Sequence, residues 1–212
     1  MDNFSQYWEE YYKSQWNRFN DDNYNIFNIY WKKYWFKWKT LDYWCWTWLF
    51  LDCLNKNFNH KKSELYWYDI NNFSIQKIKE KWYNFFDIEN DTQKFDNIFC
   101  YQVLEHMERS DVILKLKKFY EILETQWKLY IYCPIDYSRE IDFDPSHINY
   151  MNYYRLINYA KYLWFKIRKN NWNSVIFHKF STQNLFIYAI TNILFRLFKY
   201  RPWSIELILE KE

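Results

Sequence analysis

An α/β fold built on a mostly parallel sheet is what this chain predicts, on three observations. Short apolar runs alternate with helical segments of about 10–15 residues, the pattern left by successive βαβ units. Half of the residues are hydrophobic, which excludes a disordered chain. The 212 residues suffice for one domain with a sizeable core and are too few for two comfortable ones.

The elements follow in order. Residues 1–30 are polar and aromatic, with Tyr7, Tyr11 and Tyr12 near helical spacing, and read as a helical cap ahead of a main domain at 31–212. Thr40–Tyr43 is a short strand, followed by a Trp-punctuated turn and an apolar helix through Leu49, Phe50, Cys53 and Leu54. Leu65–Tyr68 is a second strand ending at Asp69, residues 73–81 a helix, and Asn84–Phe86 a brief third strand ending at Asp87. Phe95–Tyr101 is a continuous apolar run, hence a fully buried strand. Asp111 is the expected N-cap of the helix through Ile113, Leu116, Phe119 and Leu123. Lys128–Cys133 is a buried strand stopped by Pro134. A helix at Tyr153–Leu163, a strand at Phe165–Arg168, a helix at Asn184–Tyr200 and a strand at Ser204–Leu209 complete the order.

Composition excludes several classes. Four cysteines (Cys45, Cys53, Cys100 and Cys133) without CxxC spacing suggest neither a disulfide scaffold nor a zinc ribbon, and no metal is expected. A net charge of +3 with no basic stripe gives no argument for nucleic acid. No apolar signal segment opens the chain, so a cytoplasmic protein is expected. The longest uncharged stretch, Phe180 to Phe195, is short and polar for a spanning helix. The broad apolar face at 184–200, with Arg196, Lys199 and Arg201 at one end, suits core packing better than membrane contact; a weak peripheral contact there is the second expectation.

One anomaly stands out. Ordinary usage of about 7% predicts roughly 15 glycines, yet the chain has 0 glycines and 14 tryptophans. Residues with AT-rich codons dominate, while Ala is limited to Ala160 and Ala189. A fold without glycine lacks its cheapest source of positive-φ turns.

The anomaly and the chemistry meet in Thr40-Leu41-Asp42-Tyr43-Trp44-Cys45-Trp46-Thr47-Trp48-Leu49. With Gly for each Trp it reads T-L-D-Y-G-C-G-T-G-L, which resembles the first motif of class I S-adenosylmethionine-dependent methyltransferases, a strand ending in D/E-x-G-x-G-x-G. Such glycines let the chain turn sharply while its backbone lies against a cofactor, where an indole would fill the cofactor's space. Other Trp support the substitution. Leu65-Tyr66-Trp67-Tyr68-Asp69 resembles Y-G-(V/I)-D, Gln126-Trp127-Lys128-Leu129 resembles P-G-G-x-L, and Leu163-Trp164-Phe165 resembles A-G-F. Trp82 falls at a helix end, where Gly is the favoured cap, Trp35 and Trp38 lead into the first strand, and Trp16, Trp172 and Trp203 fall in expected loops. The reading is that the source uses UGA for glycine. Trp44, Trp46, Trp48, Trp67 and Trp82 would then be UGA-coded, and Trp8 and Trp31 stand as candidates for true tryptophans.

The resemblance covers roughly residues 5–211. It implies a Rossmann-like doubly wound sheet of seven strands, order 3-2-1-4-5-7-6 with the last strand antiparallel, and helices on both faces. It implies S-adenosyl-L-methionine as cofactor, held by Asp42, Trp44, Cys45, Trp46 and Trp48 in the first turn. Asp69, 21 residues beyond Trp48, would take the ribose hydroxyls, with Ile70 beside it; its alternative is a solvated loop carboxylate. Asp87 and Ile88 would meet the adenine, or serve only the turn. Phe95-Asp96-Asn97-Ile98-Phe99-Cys100-Tyr101-Gln102-Val103-Leu104-Glu105-His106 resembles F-D-x-I-x-x-x-x-V-L-E-H, placing Gln102 and Val103 at the cofactor and leaving Glu105 and His106 as structural as often as catalytic. Asp144-Pro145-Ser146-His147-Ile148-Asn149 resembles a D-P-x-H-x-N segment at the acceptor end, where His147 would deprotonate a substrate or position the loop. The implied acceptor is a small molecule or a lipid-linked one. Two rivals stand beside this: a nicotinamide-dependent dehydrogenase, which wants G-x-G-x-x-G where position 49 is Leu, and a non-catalytic α/β scaffold if the Trp of the turn are genuine.

Overall fold

The computed structural model describes residues 10, 38–45, 49–134, 146–173 and 204–212. Seven strands form one sheet in the order β3-β2-β1-β4-β5-β7-β6. They are β1 (Thr40–Tyr43), β2 (Leu65–Tyr68), β3 (Asn84–Phe85), β4 (Phe95–Tyr101), β5 (Leu123–Pro134), β6 (Phe165–Asn173) and β7 (Ser204–Lys211). β7 runs antiparallel to both β5 and β6, and the pairs β1–β2, β2–β3 and β4–β5 are parallel. The expected strand order and the antiparallel last strand are both present. Four helices intervene: α1 (Leu49–Phe58), α2 (Asn72–Lys79), α3 (Arg109–Ile122) and α4 (Tyr153–Tyr162). The expected segments at 1–30 (Glu10 apart) and at 184–200 lie outside the described residues. Among the described residues no helix is long and apolar enough to cross a membrane.

The chain forms two compact units, Met1–Asp91 and Thr92–Glu212. In the first, all four residues of β1 are buried, as a strand covered on both faces requires. β2 pairs with it in register, Thr40 opposite Leu65 and Asp42 opposite Trp67. α1 buries Leu49 to Leu54, and its Asp52, in the first turn, pairs with Lys56 at 3.0 Å. α2 is capped by Asn71, whose Oδ1 accepts from the N–H groups of Phe73 and Ser74. Trp67 is wholly buried in β2, and its indole Nε1 donates to the Tyr83 carbonyl at 3.2 Å. That indole is packed and satisfied, so nothing in the backbone asks for glycine at 67.

In the second unit β4 is buried at Phe95, Asn97, Ile98, Phe99 and Cys100. β5 starts five residues earlier than the apolar run suggests, because Leu123 already pairs with Phe95 and the pairing resumes at Asn97–Lys128 after a bulge. Trp127 therefore lies inside a strand, and so does Trp172, in β6 rather than in a loop. Asp111 is not the cap of α3: the helix begins two residues earlier, after Glu108, and Asp111 sits in its first turn, where its charge complements the helix dipole. Arg168 Nε donates to Glu210 Oε2 at 2.8 Å, tying β6 to β7, and this guanidinium holds the Glu210 carboxyl below its usual range.

Seven described non-glycine residues have positive φ: Trp38, Trp44, Asn59, Trp82, Gln102, Gln126 and Trp164, all between 57° and 67°. Asn59, which closes α1, is an ordinary choice for that conformation. Four of the seven are Trp, a bulky residue for which positive φ is a true outlier. Trp164 follows the C-terminus of α4 and donates its N–H to the Lys161 carbonyl at 3.0 Å, the place where glycine usually ends a helix. Trp82 plays the same part after α2, donating to Lys79 at 3.3 Å. Both indoles stand mostly in solvent, 76% and 83% exposed, so they gain little packing to offset the backbone cost.

Left-handed backbone costs a non-glycine residue about 1–2 kcal/mol, against about 0.5–1 kcal/mol of chain entropy lost with glycine. Trp82→Gly and Trp164→Gly are therefore each expected to raise stability by about 0.5–1 kcal/mol. Trp67→Gly is expected to cost about 3–5 kcal/mol through the cavity it leaves. Denaturant midpoints of the three variants check both signs at once.

Candidate active site

The first unit gathers its acidic groups at the carboxyl ends of its parallel strands, where open α/β sheets bind ligands. Asp42 lies in β1 and is 4% exposed; Asp69 ends β2 and is 2% exposed. Cys45 extends the β1–β2 ladder by donating its N–H to the Tyr68 carbonyl at 3.1 Å, and its thiol is buried beside both carboxylates. Burial, then the negative charge of Asp69, pushes the Asp42 carboxyl well above the usual carboxylate range. The Cys45 thiol is pushed up by burial and by the same pair, so it is a protonated, unreactive thiol. Tyr43 and Tyr68 stack alongside, ring centroids 5.0 Å apart.

Asp69 is held by its surroundings: Oδ1 accepts from the Asn71 N–H at 2.7 Å, and Asn71 in turn caps α2. Strand end, carboxylate and helix start thus form one braced turn. Ile70, between them, is 58% exposed. Asp87 is placed differently. Its Oδ1 accepts from the N–H groups of Glu89 and Asn90, and its Oδ2 from Asn90 Nδ2 at 2.7 Å. The carboxylate is engaged by its own turn, and Ile88 beside it is fully buried. Trp44 begins the turn after β1 with φ near 60°, while Trp46 and Trp48 lie outside the described residues.

In the second unit Gln102 ends β4 with φ 57° and donates its N–H to the Tyr132 carbonyl at 2.7 Å. Val103 follows, buried, and Leu104–His106 make a single 3₁₀ turn. The segment at residues 146–150 is fastened to that turn. The Asn149 N–H donates to the Glu105 carbonyl at 2.9 Å, and Asn149 Nδ2 to the Leu104 carbonyl at 3.4 Å. Arg109 Nε donates to Asn149 Oδ1 at 3.4 Å. Asn149 was not singled out by sequence; the signal available was its place two residues after His147 in the D-P-x-H-x-N segment. The clamp brings His147 to the buried Glu105, with Nε2 3.9 Å from Oε1, and to His106, ring centroids 4.7 Å apart. A cavity of about 510 Å³ opens beside them, lined by Glu108, Arg109, Ser110, His147, Asn149 and Tyr150 among others. His147 thus faces a space of ligand size.

No family model and no curated protein matches the chain. Solved structures do. A SAM-dependent methyltransferase from Archaeoglobus fulgidus superposes with a TM-score of 0.68 at 16% identity, over 99% of this chain and 100% of that one. The fold is that of the class I methyltransferases. A plantazolicin methyltransferase crystallised with a triazolic desmethylPZN analogue and SAH gives 0.63 at 12% identity, over 98% of this chain and 94% of that one. The magnesium protoporphyrin IX methyltransferase of Synechocystis PCC 6803, with bound SAH, gives 0.59 at 11% identity, over 88% of this chain and 80% of that one.

Two variants test these placements. Asp42 has a folded-state pKa raised above its unfolded value near 3.8, so its contribution to stability is greatest below that value and is lost as pH rises through the folded pKa. Asp42→Asn is therefore expected to be more stable than wild type at pH 7, with the difference closing toward pH 4, as followed by thermal midpoints across that range. Asn149→Ala removes hydrogen bonds in a buried clamp and is expected to cost about 1–3 kcal/mol, measured by denaturant unfolding.

Proposed function

We propose that this protein is an S-adenosylmethionine-dependent methyltransferase of the cytoplasm, acting on a small-molecule or lipid-linked acceptor. One observation carries the reading: buried Asp42, Cys45 and braced Asp69 sit together at the carboxyl ends of adjacent parallel strands, in a methyltransferase fold. Asp69 is the group to hold the cofactor's ribose hydroxyls, since the Asn71 N–H and the end of β2 fix its carboxylate in place. The turn after β1, with Trp44, Cys45, Trp46 and Trp48, is the part to lie against the methionine moiety. The resemblance puts Asp87 and Ile88 at the adenine; with Ile88 fully buried and the Asp87 carboxylate spent on its own turn, both are weaker candidates than Asp69. The resemblance, rather than any contact, is what assigns Gln102 and Val103 to the same cofactor.

S-adenosylmethionine supplies a methyl group already activated on a sulfonium. What remains for the chain is to orient two partners in line and to keep water out. Such chemistry asks for no catalytic nucleophile from the chain. His147, beside the 510 Å³ cavity, acts at the acceptor's heteroatom. The plantazolicin and magnesium protoporphyrin IX methyltransferases of the same fold support an acceptor of small-molecule class.

We propose further that Trp44, Trp46 and Trp48 are glycine in the working protein, UGA being read as glycine in the source. The left-handed backbone at Trp38, Trp44, Trp82 and Trp164 supports glycine at those four positions. Trp67, buried and hydrogen-bonded, is set apart from them and fits as a true tryptophan.

The gene is expected to carry UGA at 38, 44, 46, 48, 82 and 164; UGG at the three turn positions would end the recoding proposal. Calorimetric titration with S-adenosylhomocysteine is expected to give heat with the glycine form at 44, 46 and 48 and none with the literal chain. A silent glycine form would leave the scaffold reading in its place. Asp69→Ala in the glycine form is expected to lose about 1.5–3 kcal/mol of binding, the worth of hydrogen bonds to a charged group.

A further inference from the structure

Glu105, His106 and His147 each present a ligand atom within 4.8 Å of the other two. The geometry points to a divalent transition-metal site formed by these three side chains, with the cavity beside His147 as the approach for further ligands.

The donor set is one carboxylate and two imidazoles, which suits zinc, iron or manganese better than calcium or magnesium. Three protein ligands on one side leave coordination positions open, the arrangement of a catalytic rather than a structural site. The spacing also fits. Bonds of about 2.1 Å place neighbouring ligand atoms roughly 3–3.5 Å apart, and His147 Nε2 stands 3.9 Å from Glu105 Oε1, too far for a hydrogen bond and close to the separation of two ligands on one ion. Small side-chain rotations close the difference.

Two independent features favour a metal over a simple ion pair. His106 Nδ1 faces the Ser146 carbonyl at 3.2 Å. An N–H there leaves the lone pair on Nε2, and such a carbonyl partner is the usual outer support of a ligating histidine. Two imidazoles also lie against each other beside a single, fully buried carboxylate. The Asn149 clamp then has a purpose: it fixes Ser146 and His147 on the turn that carries Glu105 and His106, so all three ligands are held before an ion arrives. Arg109, the cationic side chain that lines the cavity among the described residues, is turned onto Asn149.

The role of the ion rests on the methyl-transfer reading; its binding does not. In that reaction an acceptor hydroxyl set against the ion would give its proton to water more readily, leaving the oxygen as the attacking atom. His147 would then act through the ion and not as a free base.

The test uses the full chain, stripped with a chelator and titrated with Zn²⁺ by calorimetry and with Co²⁺ by visible absorption. One equivalent is expected to bind, and His106→Ala and His147→Ala are each expected to weaken it at least tenfold while far-UV circular dichroism stays unchanged. X-ray absorption of the zinc form supplies a reading that needs no variant: two imidazoles and oxygen ligands support the site, and a sulfur shell overturns it. Absence of stoichiometric binding, or equal binding by wild type and His147→Ala, also overturns it. Because S-adenosylhomocysteine binding is measured separately on the glycine form, a protein that binds zinc here but not that ligand would fail the methyltransferase reading and keep the metal site.

Discussion

A parallel sheet obliges the chain to turn back after every strand, and the residues that turn it must accept backbone that most side chains refuse. Here that constraint falls on Trp38, Trp44, Gln102, Trp82 and Trp164, each at the edge of a strand or helix with φ near 60°. The position of everything useful follows from it. The turn at Trp44 delivers Cys45 to the Tyr68 carbonyl, and that ladder bond keeps β1 and β2 in step where Asp42 and Asp69 emerge. The turn at Trp82 sets Tyr83 and β3 against β2. Glycine would perform each turn without strain; tryptophan performs it at a cost the solvent-exposed indoles of Trp82 and Trp164 do not recover.

The strands that sequence reads best are those whose limits are set by burial alone. β1, β2 and β4 begin and end at the residues where the apolar runs do. β5 and β6 outrun their apolar runs because pairing continues through polar residues: Glu124 to Gln126 precede the run in β5, and Lys169 to Asn173 follow it in β6. Helix starts misread for a similar reason. Asp111 looks like a cap by residue type, yet the chain enters α3 at Arg109 with no side-chain cap at all. In the candidate site, the place of Asp69 at the end of β2 was legible because the apolar run stops there, whereas the Asn71 N–H that braces it was not. The Glu105–His106–His147 cluster was not legible, since the contacts that bring His147 to the other two, those of Asn149 and Ser146, span some 40 residues of sequence.

Asp69 and Asp87 show how little a strand-end position decides by itself. Asp69 directly follows β2 and Asp87 lies two residues beyond β3, and both carboxylates accept backbone N–H groups. Asp69 gives its bond to the residue that caps the next helix, so the carboxylate is braced by structure outside itself. Asp87 folds its bonds back into the four residues that follow, with Asp91 Oδ2 accepting its own N–H. The first arrangement fixes a carboxylate from outside its own turn; the second builds a loop.

β7 is the last strand in the chain, yet it lies between β5 and β6 and is buried along almost its whole length. Paired residues such as Leu129 of β5 and Leu209 of β7 are distant in sequence, so the pairing closes a long loop and is expected to form late. Until it does, the apolar edge of β5 from Leu129 to Cys133 has no neighbour on that side and can recruit a strand from another copy. Yield in refolding should thus be governed by protein concentration, a property of the route into the fold and not of the finished molecule.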